Sequence, residues 1–180
     1  MAQRTTALMN ADQLARALDD LAQAVADDHR SDAPLALIGI RTRGVYLANR
    51  LAKRLAEKLA TAPLVGAIDI TLYRDDLSQI GHNAVLRGTD VPFAVDDKKV
   101  VLVDDVLFTG RTVRAAMGAV CDLGRPAAVR LAVLIDRGHR ELPIQPDYCA
   151  VRVKTERNER IEVRLQETDG VEEVRRETHS

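Results

Sequence analysis

At 180 residues the chain is long enough to bury one well-packed core and short for two. With 46% hydrophobic and 29% charged residues it has the composition of a soluble globular protein, and a formal net charge of −1 gives no general pull toward nucleic acid or an anionic membrane, so any such binding needs a local patch. No apolar stretch reaches membrane-spanning length and the first residues lack the apolar core of a secretory signal, which points to a cytoplasmic protein whose Cys121 and Cys149 are reduced packing residues.

Asn10 followed by Gln13 has the spacing of a helix cap, and Leu14, Leu18, Leu21 and Val25 recur at helical period, so a first helix is expected to run to about Asp28. Its polar face is mostly acidic, with Asp19, Asp20, Asp27 and Asp28 against Arg16 and Arg30. The apolar run Leu35 to Ile40 reads as a strand feeding the loop Arg41-Thr42-Arg43-Gly44. A helix over Val45 to about Ala60 follows, burying Ala48, Leu51, Ala52, Leu55 and Leu59. A strand, a short arginine-rich loop and a helix start together offer free N–H groups and guanidinium forks to an anion, although an ordinary strand-to-helix turn accounts for this loop alone equally well. Ile68, Ile70 and Leu72 alternate with Asp69, Thr71 and Tyr73, which predicts a strand with one polar face. From Arg74 to Asp97 periodicity is lost. A loop of that length is a lid or an extended hairpin, and Arg74 and Arg87 are its cations suited to a pyrophosphate.

The most informative stretch is Val100 to Met117. Val100 to Val103 form an unbroken apolar run suited to a strand buried on both faces of a parallel sheet, and Asp104 and Asp105 follow at its carboxyl edge, where open α/β sheets bind ligands. After the spacer Val106, Leu107 and Phe108 come Thr109, Gly110, Arg111 and Thr112, then a helical pattern through Val113, Met117 and Val120. This is an anion cradle of backbone N–H groups, two hydroxyls and a guanidinium. The adjacent acids would repel phosphate and are better matched to ribose hydroxyls, or to a magnesium held through water. Leu123-Gly124-Arg125-Pro126 ends that helix, Leu131 to Ile135 reads as another buried strand, and Asp136-Arg137-Gly138-His139 caps it. Three strands thus bring charged loops to one sheet edge, the expected rim of an active site. His139, between arginines and lacking a spaced carboxylate, is not expected to be a general base. Tyr148 to Val153 and Arg160 to Leu165 read as strands and Val171 to Val174 as a short third, with a frayed end over Glu172 to Ser180.

The order apolar strand, Asp-Asp, Thr-Gly-Arg-Thr, helix resembles the phosphoribosyl pyrophosphate motif of the type I phosphoribosyltransferases. LYRDDL at Leu72 to Leu77, VDDVLFTGRTVRA at Val103 to Ala115 and DRGHRELPI at Asp136 to Ile144 together resemble the bacterial pyrimidine operon regulatory proteins that are also uracil phosphoribosyltransferases, over most of the chain up to about Tyr148. The resemblance implies an α/β type I phosphoribosyltransferase fold, a central parallel sheet flanked by helices with a small hood, in a single domain over residues 1–180 with a lid loop at about 74–97. It also implies conversion of uracil and phosphoribosyl pyrophosphate to UMP and pyrophosphate with Mg2+, UMP-dependent binding of pyrimidine operon leader mRNA, and assembly as a homodimer or larger oligomer. Carried onto this chain, Asp104 and Asp105 hold the ribose hydroxyls, Thr109, Gly110, Arg111 and Thr112 hold the 5-phosphate, and Val106, Leu107 and Phe108 belong to the same phosphoribosyl pyrophosphate-binding segment. Arg41, Thr42, Arg43 and Gly44 hold pyrophosphate, across a strained peptide bond, with Arg74 and Arg87 closing over it. Asp136, Arg137 and Gly138 face the uracil. Compared with the family pattern, Gln145 stands for an arginine and Ala150 to Glu156 for a Gly-Lys-Asn and Pro-Thr-Ser stretch, leaving Arg140, Arg152 and Lys154 as cations for RNA. Two alternatives stay open: a UMP-sensing RNA-binding regulator with little turnover, and a phosphoribosyltransferase for another base without an RNA role.

Overall fold

The structure, a computed structural model, describes residues 4–29, 34–71 and 88–178. Twelve elements follow in order: β1 (Arg4–Met9), α1 (Ala11–Asp28), β2 (Ala36–Ile40), α2 (Arg43–Ala56), β3 (Leu64–Ile68), β4 (Lys99–Leu107), α3 (Arg111–Leu123), β5 (Ala128–Asp136), β6 (Tyr148–Arg152), β7 (Glu159–Arg164), α4 (Gln166–Asp169) and β8 (Glu173–Thr178). Five strands form a parallel sheet in the order β3-β2-β4-β5-β6, with β4 at its centre. The unbroken apolar runs of β2, β4 and β5 are what a sheet covered on both faces requires. Leu37, Val101, Val103, Ala132 and Leu134 pack against α1 and α2 on one side, while Ile38, Leu102, Leu131 and Val133 pack with α3 on the other. The reciprocal bonds between Asn10 and Gln13 start α1 as expected. Among the described residues no helix is long and apolar enough to cross a membrane.

The structure corrects three expectations and adds one strand. The strand placed at Ile68 to Tyr73 lies earlier, at Leu64–Ile68, paired in parallel with β2. Small residues at Gly66 and Ala67 let the segment at Asp90 and Val91 cross close by, Ala67 and Asp90 exchanging backbone bonds of 2.8 Å, and the alternation beyond it belongs to a turn in which Asp69 Oδ1 accepts from the Thr71 amide at 2.9 Å. The stretch Arg4–Met9, unassigned by pattern, is a strand. The supposedly frayed end is β8, the middle of a three-stranded antiparallel sheet ordered β1-β8-β7. It was hidden because Val174 is its one buried side chain; cross-strand neighbours such as Arg164 and Glu173, at 2.9 Å, hold the rest. Cys121 is exposed on α3 and Cys149 half-buried, so only the latter packs.

Opposite the ligand edge, the end of α1 is tied to the sheet. Asp28 accepts from Lys99 Nζ at 2.6 Å and from the buried Tyr148 hydroxyl at 2.5 Å. These two bonds hold the Asp28 carboxyl down at about 2, while burial and Asp28 push the Tyr148 phenol up. Asp28's contribution to stability is therefore full above its ordinary value of 3.8 and is lost as the pH falls toward about 2. Tyr148→Phe is expected to cost about 1 kcal/mol or less, because Asp28 is half exposed, as read by urea unfolding at neutral pH.

Candidate active site

All three loops singled out in the sequence meet at the carboxyl edge of the parallel sheet. The first connects β2 to α2. A Cβ on Gly39 would lie 2.4 Å from Val45 Cα and one on Gly44 would lie 2.3 Å from the Val103 carbonyl oxygen, so both glycines are needed to seat the loop directly on β4. The Arg41–Thr42 peptide is cis. Arg41 donates its amide to Ile68 O at 3.0 Å and its Nε to Gly88 O. Arg43, the first residue of α2, turns its guanidinium toward Asp169 of α4 at 2.9 Å.

The second loop begins inside the sheet. β4 does not stop at the acids but runs on to Leu107, with Asp104 paired to Val133 and Leu107 to Asp136 of β5. Asp104 is thereby only 8% exposed, and its carboxyl accepts the Asp105 amide at 2.9 Å while Asp105 accepts that of Val106 at 2.9 Å. Burial first, and the neighbouring Asp105 charge second, push the Asp104 carboxyl well above the ordinary carboxylate range. A small cavity of about 100 Å³ lies against Phe108, Thr109, Gly110 and Thr112 at the start of α3, with a volume suited to a phosphate group. Gly110 holds φ of +92°, a conformation that favours glycine, and sits against Ile144. Leu107 is buried in the core, so only its backbone faces the loop. Arg111 is exposed and pairs with Glu141 at 2.8 Å.

The third loop follows β5. Asp136 is buried, pairs with Arg140 at 2.6 Å and accepts the Gly138 amide at 3.0 Å. Arg137, 6% exposed, stacks 4.0 Å above the Phe108 ring and donates to Thr155 Oγ1 at 3.2 Å and Glu156 O at 2.9 Å. Burial lowers the Arg137 guanidinium from its ordinary value. His139 meets the same ring edge-on at 5.9 Å, and its Nε2 lies 2.6 Å from Thr155 O. A carbonyl only accepts, so in that hydrogen bond the ring nitrogen is the donor. Phe108 therefore joins the second loop to the third.

Between the first two loops lies a cleft of about 440 Å³ whose walls include Arg41, Thr42, Asp69, Thr71, Asp104, Asp105 and Thr112. A second cavity of about 580 Å³ is lined by Asp136 to His139 and by Arg152 to Glu156. Asp69, Thr71, Thr155 and Glu156 were not singled out by the sequence; the polar alternation at Asp69 and Thr71 was the available signal, whereas nothing local marks Thr155 or Glu156 as partners of Arg137. Of the cations assigned to RNA, Arg140 is bound internally to Asp136, Phe108 O and Ile144 O, Arg152 is 73% exposed, and Lys154 is exposed. Arg74 and Arg87 lie outside the described residues, as does most of the lid expected at 74–97. No cluster of three or more His, Cys, Asp or Glu suited to a metal occurs among the described residues.

Residues 5–168 match the phosphoribosyl transferase domain. The chain is 51% identical over 174 residues to bifunctional protein PyrR of Pelotomaculum thermopropionicum, covering 97% of this chain and 96% of that protein. It is 50% identical over 167 residues to bifunctional protein PyrR of Deinococcus deserti, covering 93% and 91%. Among solved structures, a ternary substrates complex of hypoxanthine phosphoribosyltransferase from Trypanosoma cruzi superposes with a TM-score of 0.73 at 19% identity, over 93% of this chain and 92% of that one. The Staphylococcus aureus hypoxanthine phosphoribosyltransferase does so with a TM-score of 0.65 at 18% identity, over 84% and 79%. The structural matches establish the type I phosphoribosyltransferase fold, and with half of all aligned positions shared with the sequence relatives the chain belongs to the phosphoribosyltransferase family, among the bifunctional PyrR proteins.

Proposed function

We propose that this chain is a cytoplasmic uracil phosphoribosyltransferase, converting uracil and phosphoribosyl pyrophosphate to UMP and pyrophosphate, and that with UMP bound it regulates pyrimidine synthesis by binding the operon leader mRNA. The observation that carries the catalytic reading is the Asp104–Asp105 pair standing in one cleft with Arg41 and Thr42 on one side and Thr112 on the other, beside a small cavity formed by Phe108, Thr109 and Gly110. A substrate with phosphate at both ends of a ribose needs that arrangement: anion donors at either end and acceptors for hydroxyls between. When the bond from C1 to pyrophosphate breaks and the bond to the base nitrogen forms, positive charge gathers on the sugar and negative charge on the leaving group. Asp104 and Asp105 are placed to stabilise the first, the amides of the Thr42 to Gly44 loop the second. Burial favours neutral Asp104, and a cationic sugar beside it favours its ionised form. Asp104 and Asp105 would hold a magnesium through water, and that ion would neutralise charge on the leaving diphosphate. The cavity beside Arg137 is the assigned base site, with Asp136 and Gly138 in its wall; Arg74 and Arg87 are assigned by sequence to the pyrophosphate. The active form is proposed to be a homodimer or larger assembly.

A base panel tests this. Uracil, orotate, adenine, guanine and hypoxanthine, each with phosphoribosyl pyrophosphate and magnesium, are expected to give nucleotide from uracil alone. Selective turnover of another base would overturn the uracil assignment. A second reading, the enzyme without an RNA role, is favoured by Arg140 being engaged inside the protein and by the acidic outer face of α1. Binding of leader RNA that requires UMP and weakens steeply with salt would exclude it.

A further inference from the structure

We infer that Arg43 is not a phosphate ligand but a positioning residue, which fixes the pyrophosphate loop through an ion pair with Asp169. This rests on the function proposed above. Arg43 directly follows Thr42, a wall of the cleft, yet it is absent from the described residues that line that cleft. Its Nη2 instead donates to both carboxylate oxygens of Asp169, at 2.9 and 3.2 Å, and its Nε is buried without a hydrogen-bond partner among the described residues. A guanidinium so placed would have to break its ion pair to reach into the cleft.

Asp169 is prepared for this role. Its Oδ2 accepts the Leu165 amide at 2.9 Å and the Thr168 hydroxyl at 2.5 Å, leaving Oδ1 as the closer partner of Arg43. Those contacts, the Thr168 hydroxyl foremost, hold the carboxyl at about 2, so it is charged at every working pH. Two turns further along α2, Arg50 donates to Glu167 at 2.9 Å and to Glu172 at 3.0 Å. The same face of α2 is thus fastened at two points to the segment joining β7 to β8, and the nearer point lies one residue from the cis Arg41–Thr42 peptide. With Gly44 seated on Val103 O, the loop is fixed from below by β4 and from its far side by α4. Backbone amides bind a diphosphate well only when held in place beforehand, and that is what the pair contributes.

Asp169→Asn is the informative change. The asparagine carbonyl can keep accepting from Leu165 and Thr168, while the charge on which Arg43 depends is gone. Calorimetry with magnesium should show the dissociation constant for phosphoribosyl pyrophosphate rising about tenfold while that for UMP, which has no pyrophosphate, stays unchanged. Asp169→Glu should recover part of the loss, and Thr168→Ala, which removes a contact of Asp169 but not its charge, should bind both ligands like wild type. Equal loss for both ligands, or a melting temperature in Asp169→Asn low enough to unfold the protein at the assay temperature while Thr168→Ala also loses affinity, would reduce the pair to a fold contact and overturn the inference. So would unchanged affinity for phosphoribosyl pyrophosphate in Asp169→Asn beside a wild type that binds it. A wild type that binds neither ligand would overturn the function itself, and the inference with it.

Discussion

Replacing Asp104 and Asp105 together by asparagine is expected to lower uracil-dependent nucleotide formation by roughly two to three orders of magnitude while leaving the protein folded. Each carboxylate accepts one backbone amide at 2.9 Å, a bond an asparagine oxygen can also accept, so the end of β4 keeps its shape. The stability effect should have the opposite sign to the catalytic one. Asp104 is buried beside a like charge, which raises its carboxyl well above 3.8, so its ionisation destabilises the folded state. That penalty is absent below the unfolded value of 3.8, grows as the pH rises, and is complete above the raised folded value. At neutral pH the single change Asp104→Asn should therefore melt at or above the wild-type temperature, by about 2–4 °C for each kcal/mol relieved, and the difference should shrink toward pH 4. Wild-type turnover in the double mutant would remove these residues from the mechanism. A lower melting temperature for Asp104→Asn at neutral pH would show that its buried carboxylate is stabilised by something other than the groups described.

Gly44→Ala is expected to be the most damaging single-atom-group change in the Arg41 to Gly44 loop. The added methyl would sit 2.3 Å from the Val103 carbonyl oxygen and 3.3 Å from its carbon, both backbone atoms in the central strand, and neither can move without disturbing the β4 ladder. Overpacking of this kind costs about 2–3 kcal/mol, and here the strain falls on the loop proposed to bind the leaving group, so affinity for phosphoribosyl pyrophosphate should fall with it. Gly138→Ala offers a contrast. Nothing lies within 4 Å of its added methyl, and the cost there comes only from φ of +74°, about 1 kcal/mol. Chemical denaturation of the two variants side by side should rank them in that order. Equal stabilities would mean that the Arg41 to Gly44 loop does not press on β4 as closely as the distances say.

The parts of the fold legible in the sequence were those whose signal is local. β2, β4 and β5 are buried on both faces, so each announces itself as an unbroken apolar run, and the charged loops that follow them mark the ligand edge. α1 was readable to both ends because its cap and its apolar stripe agree. β1 was not readable, and β8 only at its start, through the short strand expected at Val171 to Val174, since RTTALM and EVRRET are mostly exposed or half-exposed and are strands chiefly because each finds the other as a hydrogen-bonding partner. The same division runs through the site. Asp104, Asp105 and the Thr109 to Thr112 loop follow one another in the chain and were found as a motif. The Arg137 contacts with Phe108 and Thr155, and the Arg43 contact with Asp169, join residues far apart in sequence, and spacing says nothing about such pairs.

The pairing of Arg4 with Thr178, across nearly the whole described chain, also orders events in time. During synthesis the parallel sheet from β2 to β6 can assemble while later residues are still within the ribosome, but β1 has no partner until β8 emerges. The segment carrying Asp169 emerges just before it. A nascent chain therefore forms the sheet edge that bears Asp104 and Asp105 before the segment carrying Asp169 can pack against α2.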